Sequence, residues 1–144
     1  MKETKEIEFK ATKQFARGRR LPFIRISRNS NGTNISVAAA EGMSLLSGDK
    51  LKLSQSKNKN IYFYKETVEG SGGINVCLVQ GSSWRTSVKQ LPDTLFKMFG
   101  IKEDTYRLYI DIVGEEIIVT DKDNAERVVT GYRIMDVPHL NKEV

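Results

Sequence analysis

The sequence of 144 residues has one cysteine, one histidine and no long apolar run. A lone Cys77 cannot form an internal disulfide, which fits a reducing cytoplasm. With His139 it supplies too few ligands for a zinc site, which needs about four. No segment approaches the roughly 20 apolar residues that span a bilayer, so we expect no membrane contact. Residues 1–10, MKETKEIEFK, carry charges where a secretion signal has an apolar core, and we therefore expect a cytoplasmic protein.

Motifs of catalysis and cofactor binding are also missing. The glycines of residues 70–73 are followed by neither a lysine nor a predicted helix, so this stretch is typical of a linker rather than a phosphate loop. Glu115 with Glu116, and Asp121 with Asp123, offer carboxylates to a cation, but adjacent acids in turns are usually solvated. We expect no enzymatic activity, no cofactor and no metal site.

Positive charge is concentrated at the start of the chain. The net charge is +5 and the pI is about 9.3. Residues 1–28 carry +6 and the remainder carries −1. The densest stretch is ARGRR, which contains Arg17, Arg19 and Arg20. Such a cluster attracts phosphates by Coulomb steering and counterion release, although a solvated arm that only aids solubility has the same composition.

Apolar alternation and turn residues predict the order strand, turn, strand, short helix, turn, strand, loop, strand over residues 23–65. Ser36 suits the N-cap of a helix over Ala38–Leu45. The same order returns after residues 69–73, with a helix over Gln90–Phe99. The predicted strands are Phe23–Ser27, Asn34–Val37, Lys50–Leu53, Ile61–Tyr64, Ile74–Val79, Trp84–Val88, Tyr106–Val113 and Glu116–Val119, with a turn at Gly114 and Glu115 between the last two.

The spacing of these features supports an internal repeat. Ser36 and Asp49 are 13 positions apart, and Ser87 and Asp104 are 17 apart. The extra four residues equal about one helical turn. Because one unit is too small to bury its own apolar face, we expect the two units to share one core.

The stretch ISVAAAEGMSLLSGDKLKL, residues 35–53, resembles the AbrB/MazE/SpoVT-type swapped-hairpin domain. That family has Ile-Pro, a short helix ending in Leu-Gly-Leu or Leu-Gly-Ile, a turn often containing Gly-Asp, and alternating strands. FGIKED, residues 99–104, and the strands within residues 108–119 are similar to the same region. The resemblance implies a mostly β (α+β) fold. In it, two AbrB-like β-β-α-β-β units form an intrachain pseudo-dimeric small barrel, with short helices at its periphery.

The expected organisation has five parts. They are a basic N-terminal arm (1–22), a first AbrB-like unit (23–68), a Gly/Ser-rich linker (69–73), a second unit (74–120), and a C-terminal strand and tail (121–144).

The resemblance also implies DNA binding of a regulatory kind, because family members bind DNA with polar groups on the first strand, the hairpin and the early helix. Asn34, with two other asparagines, is a candidate reader of base edges, although these residues also suit turns. Trp84 either stacks a base or packs against the core. The predicted DNA-contacting residues are Arg17, Arg19, Arg20, Arg25, Arg28, Asn29, Asn31, Arg85 and Lys89.

The alternative function is that of a protein-interaction module without DNA binding, of an antitoxin-like or mobile-element accessory type. It would act through a protein partner or a homodimer. The β-favouring tract Val128–Pro138 would then add a strand to a partner's sheet. The interpretation that we prefer is that this tract closes the protein's own sheet.

Overall fold

The computed structural model describes residues 21–29, 32–68, 74–75, 77–79, 83–120 and 124–141. These residues form a mostly β protein with two α-helices and one short 3-10 helix, which confirms the predicted class. The predicted linker and most of the basic arm lie outside them.

The strands are β1 (Phe23–Ser27), β2 (Thr33–Ile35), β3 (Lys50–Gln55), β4 (Ile61–Lys65), β5 (Ile74–Asn75), β6 (Cys77–Val79), β7 (Ser83–Thr86), β8 (Thr105–Ile110), β9 (Glu115–Thr120) and β10 (Glu126–Met135). The helices are α1 (Val37–Gly42), α2 (Gln90–Phe99) and the 3-10 helix Pro138–Asn141.

The strands form a curled antiparallel half-barrel. Its strand order is β5-β3-β4-β10-β8-β1-β2-β7-β6, and β9 pairs with β10 beside this path. The two ends of the order are neighbours in the chain, because a single residue separates Asn75 of β5 from Cys77 of β6. Two residues of extended chain span at most about 7 Å. The chain therefore holds the two ends of this strand order close together at this segment.

Strands of the two predicted units pair with each other. β1 pairs with β8, β2 with β7 and β3 with β5. One apolar cluster takes residues from both segments, 23–68 and 74–120. Its most buried members include Ile24, Ile26, Met43, Leu51, Phe63, Leu95, Leu108 and Ile110.

The predicted turn at Gly114 and Glu115 is wrong. β8 pairs with β10 at Ile110 and Ile134, and β9 then pairs with the same side of β10, from Glu115 opposite Gly131. The chain thus bulges between β8 and β9 without reversing, and the two strands do not form the hairpin that the repeat predicts. Gly114 is needed for close approach instead, because a Cβ there would lie 2.4 Å from the Thr130 side chain.

Both helices begin and end for local reasons. The Ser36 hydroxyl accepts a hydrogen bond from the Ala39 amide at 3.1 Å, so the predicted N-cap of α1 is confirmed, although the helix ends at Gly42 rather than Leu45. Helix α2 has its predicted bounds and ends at Gly100, whose φ of 63° is the left-handed conformation that favours glycine.

β10 lies within the protein's own sheet. It pairs with β4 on one side and with β8 and β9 on the other. The preferred interpretation of the C-terminal tract is confirmed, because this strand pairs with other strands of the same chain.

The buried carboxylate of Glu66, which follows β4, bonds to side chains of β3 and β10. The Glu66 side chain has no exposed surface and bonds to Lys52 Nζ at 3.2 Å and Arg127 Nη2 at 3.0 Å. Its other oxygen accepts a hydrogen bond from the Val68 amide at 3.0 Å. Burial alone raises the pKa of Glu66, but the Val68, Arg127 and Lys52 bonds outweigh it and lower the pKa from 4.5 to about 2.

Replacing Glu66 by glutamine should lower the free energy of unfolding at pH 7 by about 2 kcal/mol, because two cations lose their buried partner. The folded pKa lies below the ordinary value, so the carboxylate stabilises fully above about pH 4.5 and loses this effect as the pH falls toward 2. Urea unfolding from pH 7 to pH 2.5 should show the difference between wild type and Glu66→Gln shrinking. The exposed Glu116→Gln is the control, and a gap between wild type and Glu66→Gln that does not change with pH would contradict this account.

Candidate functional site

Three arginines and an asparagine lie in one row across four adjacent strands. Arg107 of β8 is opposite Arg25 of β1, Arg25 is opposite Asn34 of β2, and Asn34 is opposite Arg85 of β7. Directly opposed residues share one face of a sheet. The residues that flank Arg25 along β1, Ile24 and Ile26, are fully buried on the other face. This arginine row (Arg107, Arg25, Asn34, Arg85) therefore lies on the outer face.

The arginine row spans three strand spacings, or about 14 Å. Two like charges opposed across a strand pair repel each other, and Arg107 opposes Arg25. The Arg107 guanidinium lies 5.1 Å from the centre of the Phe23 ring, a cation–π contact that offsets part of this repulsion. Among the described residues, Arg25 and Arg85 make no salt bridge. Arg25 and Arg85 therefore give this face positive charge that is suited to an anionic ligand.

Two shallow hollows flank the centre of the row. The first has a volume of about 350 Å³ and the second about 240 Å³. No described residue that lines either hollow is acidic, so neither contains a carboxylate that would repel an anion. Phe23, Ser36, Trp84 and Arg107 line the first, Ser27, Gly32, Arg85 and Thr105 line the second, and Arg25 and Asn34 line both.

An aromatic pair lies beside the arginine row on the same face. Phe23 of β1 is directly opposite Tyr109 of β8, and both side chains are half-buried. Trp84 has a different position. It lies opposite Ile35 and packs against the core, and its half-buried side chain also lines the first hollow.

Hydrogen bonds fix both borders of this surface. The Ser36 hydroxyl accepts from the Phe23 amide at 2.9 Å and donates to the Leu21 carbonyl at 2.9 Å, which holds the start of β1. The Asn141 side chain accepts from the Arg107 amide at 2.8 Å and donates to the Arg107 carbonyl at 3.0 Å. This side chain takes the place of a neighbouring strand and holds the Arg107 backbone.

A buried tyrosine anchors the segment that carries Asn141. The Tyr106 hydroxyl donates to Asp136 Oδ1 at 2.6 Å. This bond, with burial second, raises the pKa of Tyr106 to about 12. The phenol therefore stays protonated and keeps the bond at physiological pH.

Apart from Arg28, the predicted site residues fall into three groups. Arg25 and Arg85 meet in the arginine row with Asn34, whereas Asn29 is exposed in the turn after β1 and Lys89 is exposed at the start of α2. The sequence interpretation missed Arg107, although the alternation of TYRLYI would place its side chain on the outer face of a strand. Predictions that lie outside the described residues are Arg17, Arg19, Arg20 and Asn31.

Arg28 is engaged by the protein's own backbone. Its Nε donates to the Glu103 carbonyl at 3.0 Å and its Nη2 donates to the Ile101 carbonyl. Its guanidinium lies 4.1 Å from the centre of the Phe96 ring. Arg28 thus holds the loop between α2 and β8.

Comparison with known proteins gives no relative: no family model, curated protein or solved structure matches this chain. Among the described residues, no group of three or more His, Cys, Asp or Glu side chains forms a potential metal site. Within the same ranges, no helix has the length and apolar character needed to cross a membrane.

Arg25 of β1 and Arg28 of the following turn should differ in how much each contributes to the free energy of unfolding. Arg28→Ala should lower the free energy of unfolding by about 1–2 kcal/mol, because two carbonyls and an aromatic ring lose their partner. Arg25→Ala should change it by less than about 0.5 kcal/mol, because exposed side chains without partners contribute little. Chemical denaturation of both variants beside wild type checks this, and equal losses would contradict the roles assigned to these arginines.

Proposed function

We propose that this chain is a DNA-binding protein that contacts DNA through the arginine row. The observation that carries the proposal is the convergence of Arg25, Arg85 and Arg107 with Asn34 on one solvent-facing row. Three guanidinium groups within about 14 Å match a polyanion better than a single small anion.

The chemistry of the row suits nucleic acid in two ways. Guanidinium groups form paired hydrogen bonds with phosphate oxygens, and they keep their charge at any physiological pH. The Asn34 side chain between them has both an amide donor and a carbonyl acceptor, the combination that recognises base edges. Phosphate contacts by Arg25 and Arg85 would set the position of the strand, and Asn34 would supply a base contact.

The basic arm joins the sheet beside this surface. The sequence attaches Arg20 directly to Leu21. The Leu21 carbonyl bonds to Ser36, which lines the first hollow. In the proposal, Arg17, Arg19 and Arg20 add sequence-independent phosphate contacts to those of the row. The resemblance to AbrB-type domains supports a regulatory role for this binding.

Fluorescence anisotropy with labelled DNA of mixed sequence, measured at two salt concentrations, tests the proposal. Arg25→Gln/Arg85→Gln should weaken binding by about tenfold or more, and should reduce the slope of log K against log salt by about 1–2, because two phosphate contacts are lost.

The matched control is Lys57→Gln/Lys97→Gln, which removes the same charge from two exposed lysines in the β3–β4 loop and on α2. This control should bind within about twofold of wild type. Arg17→Ala/Arg19→Ala/Arg20→Ala should also weaken binding. Absence of binding at low salt would refute the proposed function, and equal losses in the row variant and the lysine control would refute the row as the contact surface.

A further inference from the structure

We infer that the outer face binds single-stranded DNA in preference to duplex DNA, with bases over the Phe23–Tyr109 pair and phosphates over the arginine row. This inference rests on the proposed function and specifies its ligand. Three observations support it: the width of the face, the side chains of the helices, and the order of side chains along β1 and β8.

The width of the face disfavours entry into a duplex groove. The arginine row occupies four neighbouring strands and about 14 Å. The major groove of B-DNA is about 12 Å wide and admits a helix or a two-stranded ribbon. A four-stranded face of a curled sheet would meet only the phosphates on the outside of a duplex, and Asn34, near the centre of this row, would not reach a base.

The described helices do not supply an alternative reader of the major groove. α1 has the sequence VAAAEG and contains no basic residue. α2 has one basic residue, Lys97, and its buried residues Leu91, Leu95 and Phe96 join the core cluster on the opposite side of β1 from Arg25. The arginine row is therefore carried by strands and not by a helix.

The order of side chains along β1 and β8 matches the two chemical parts of a single strand. Phe23 and Arg25 are two positions apart on β1, and Tyr109 and Arg107 are two positions apart on β8. Each pair therefore lies on one face with a spacing of about 6.7 Å. The face presents an aromatic pair along one line and the arginine positions along the next, and the Arg107 guanidinium reaches over the Phe23 ring.

An unpaired nucleotide exposes what such a surface can contact. Its base has a free π-face that stacks on aromatic rings and on guanidinium planes, and its phosphate accepts hydrogen bonds from arginine. In a duplex the bases are stacked on each other, so Phe23 and Tyr109 would find no partner. The first hollow, between Phe23 and Asn34, gives an unpaired base a place beside the Asn34 amide.

The experiment compares two ligands on the full chain: a labelled oligothymidine of about 16 nucleotides and a mixed-sequence duplex of the same length. Wild type should bind the single strand at least about tenfold more tightly at equal salt. Phe23→Leu/Tyr109→Leu keeps apolar bulk and removes both rings. It should weaken single-strand binding by about tenfold or more, and duplex binding by less than about twofold.

The matched control is Tyr132→Leu, which removes a half-buried tyrosine that packs against the core. It should leave the ratio of the two affinities unchanged, and thermal melting shows whether each variant is folded. The wild-type comparison does not depend on any variant. Equal or tighter binding to the duplex would overturn this inference and leave the proposed function standing, whereas binding to neither ligand would overturn both.

Discussion

The pairing of β1 with β8 is the contact on which the rest of the structure depends. It aligns five residue pairs between segments about 80 positions apart in the sequence, from Phe23 opposite Tyr109 to Ser27 opposite Thr105. On its inner face, Ile24 meets Leu108 in the core, and on its outer face Arg25 meets Arg107. One register thus sets both the packing of the core and the charge of the candidate site. Contacts so distant in sequence form late and slowly in folding, because the chain must first close a long loop.

Local sequence patterns predicted helices and strands. The pairing of strands distant in the sequence decided the features that these patterns could not show. The alternation of FIRIS predicted β1 to the residue, and the apolar spacing with Gly100 predicted α2. Gly114 was misinterpreted because the same residue serves turns and close approaches, and only the position of Thr130 separates the two. Arg107 was missed because Arg25, the residue opposite it, is 82 positions away in the sequence. Arg28 was predicted to contact DNA as Arg25 was, because the carbonyls that it binds belong to a loop far away in the sequence.

Arginine has three different environments in this sheet, and they differ in what balances its charge. Arg127 neutralises a buried carboxylate together with Lys52. Arg28 has no carboxylate partner in the described residues and bonds instead to two carbonyls and a ring. Arg25 opposes another arginine on an exposed face. In the first two arrangements groups of the chain itself balance the charge, whereas Arg25 makes no salt bridge among the described residues and lies opposite another arginine.

The segment formed by β5 and β6 restricts the registers in which the strands of this sheet can pair. A strand that slips by one position turns all its side chains to the opposite face. In an open sheet, an edge strand can slip without disturbing the far side. Here the same short segment pairs with β3 and with β7, so the registers at the two ends of the strand order are linked through it. A slip at any one pair would have to be cancelled at another. This link between registers therefore restricts the alignment of Arg25, Asn34 and Arg85 across the sheet.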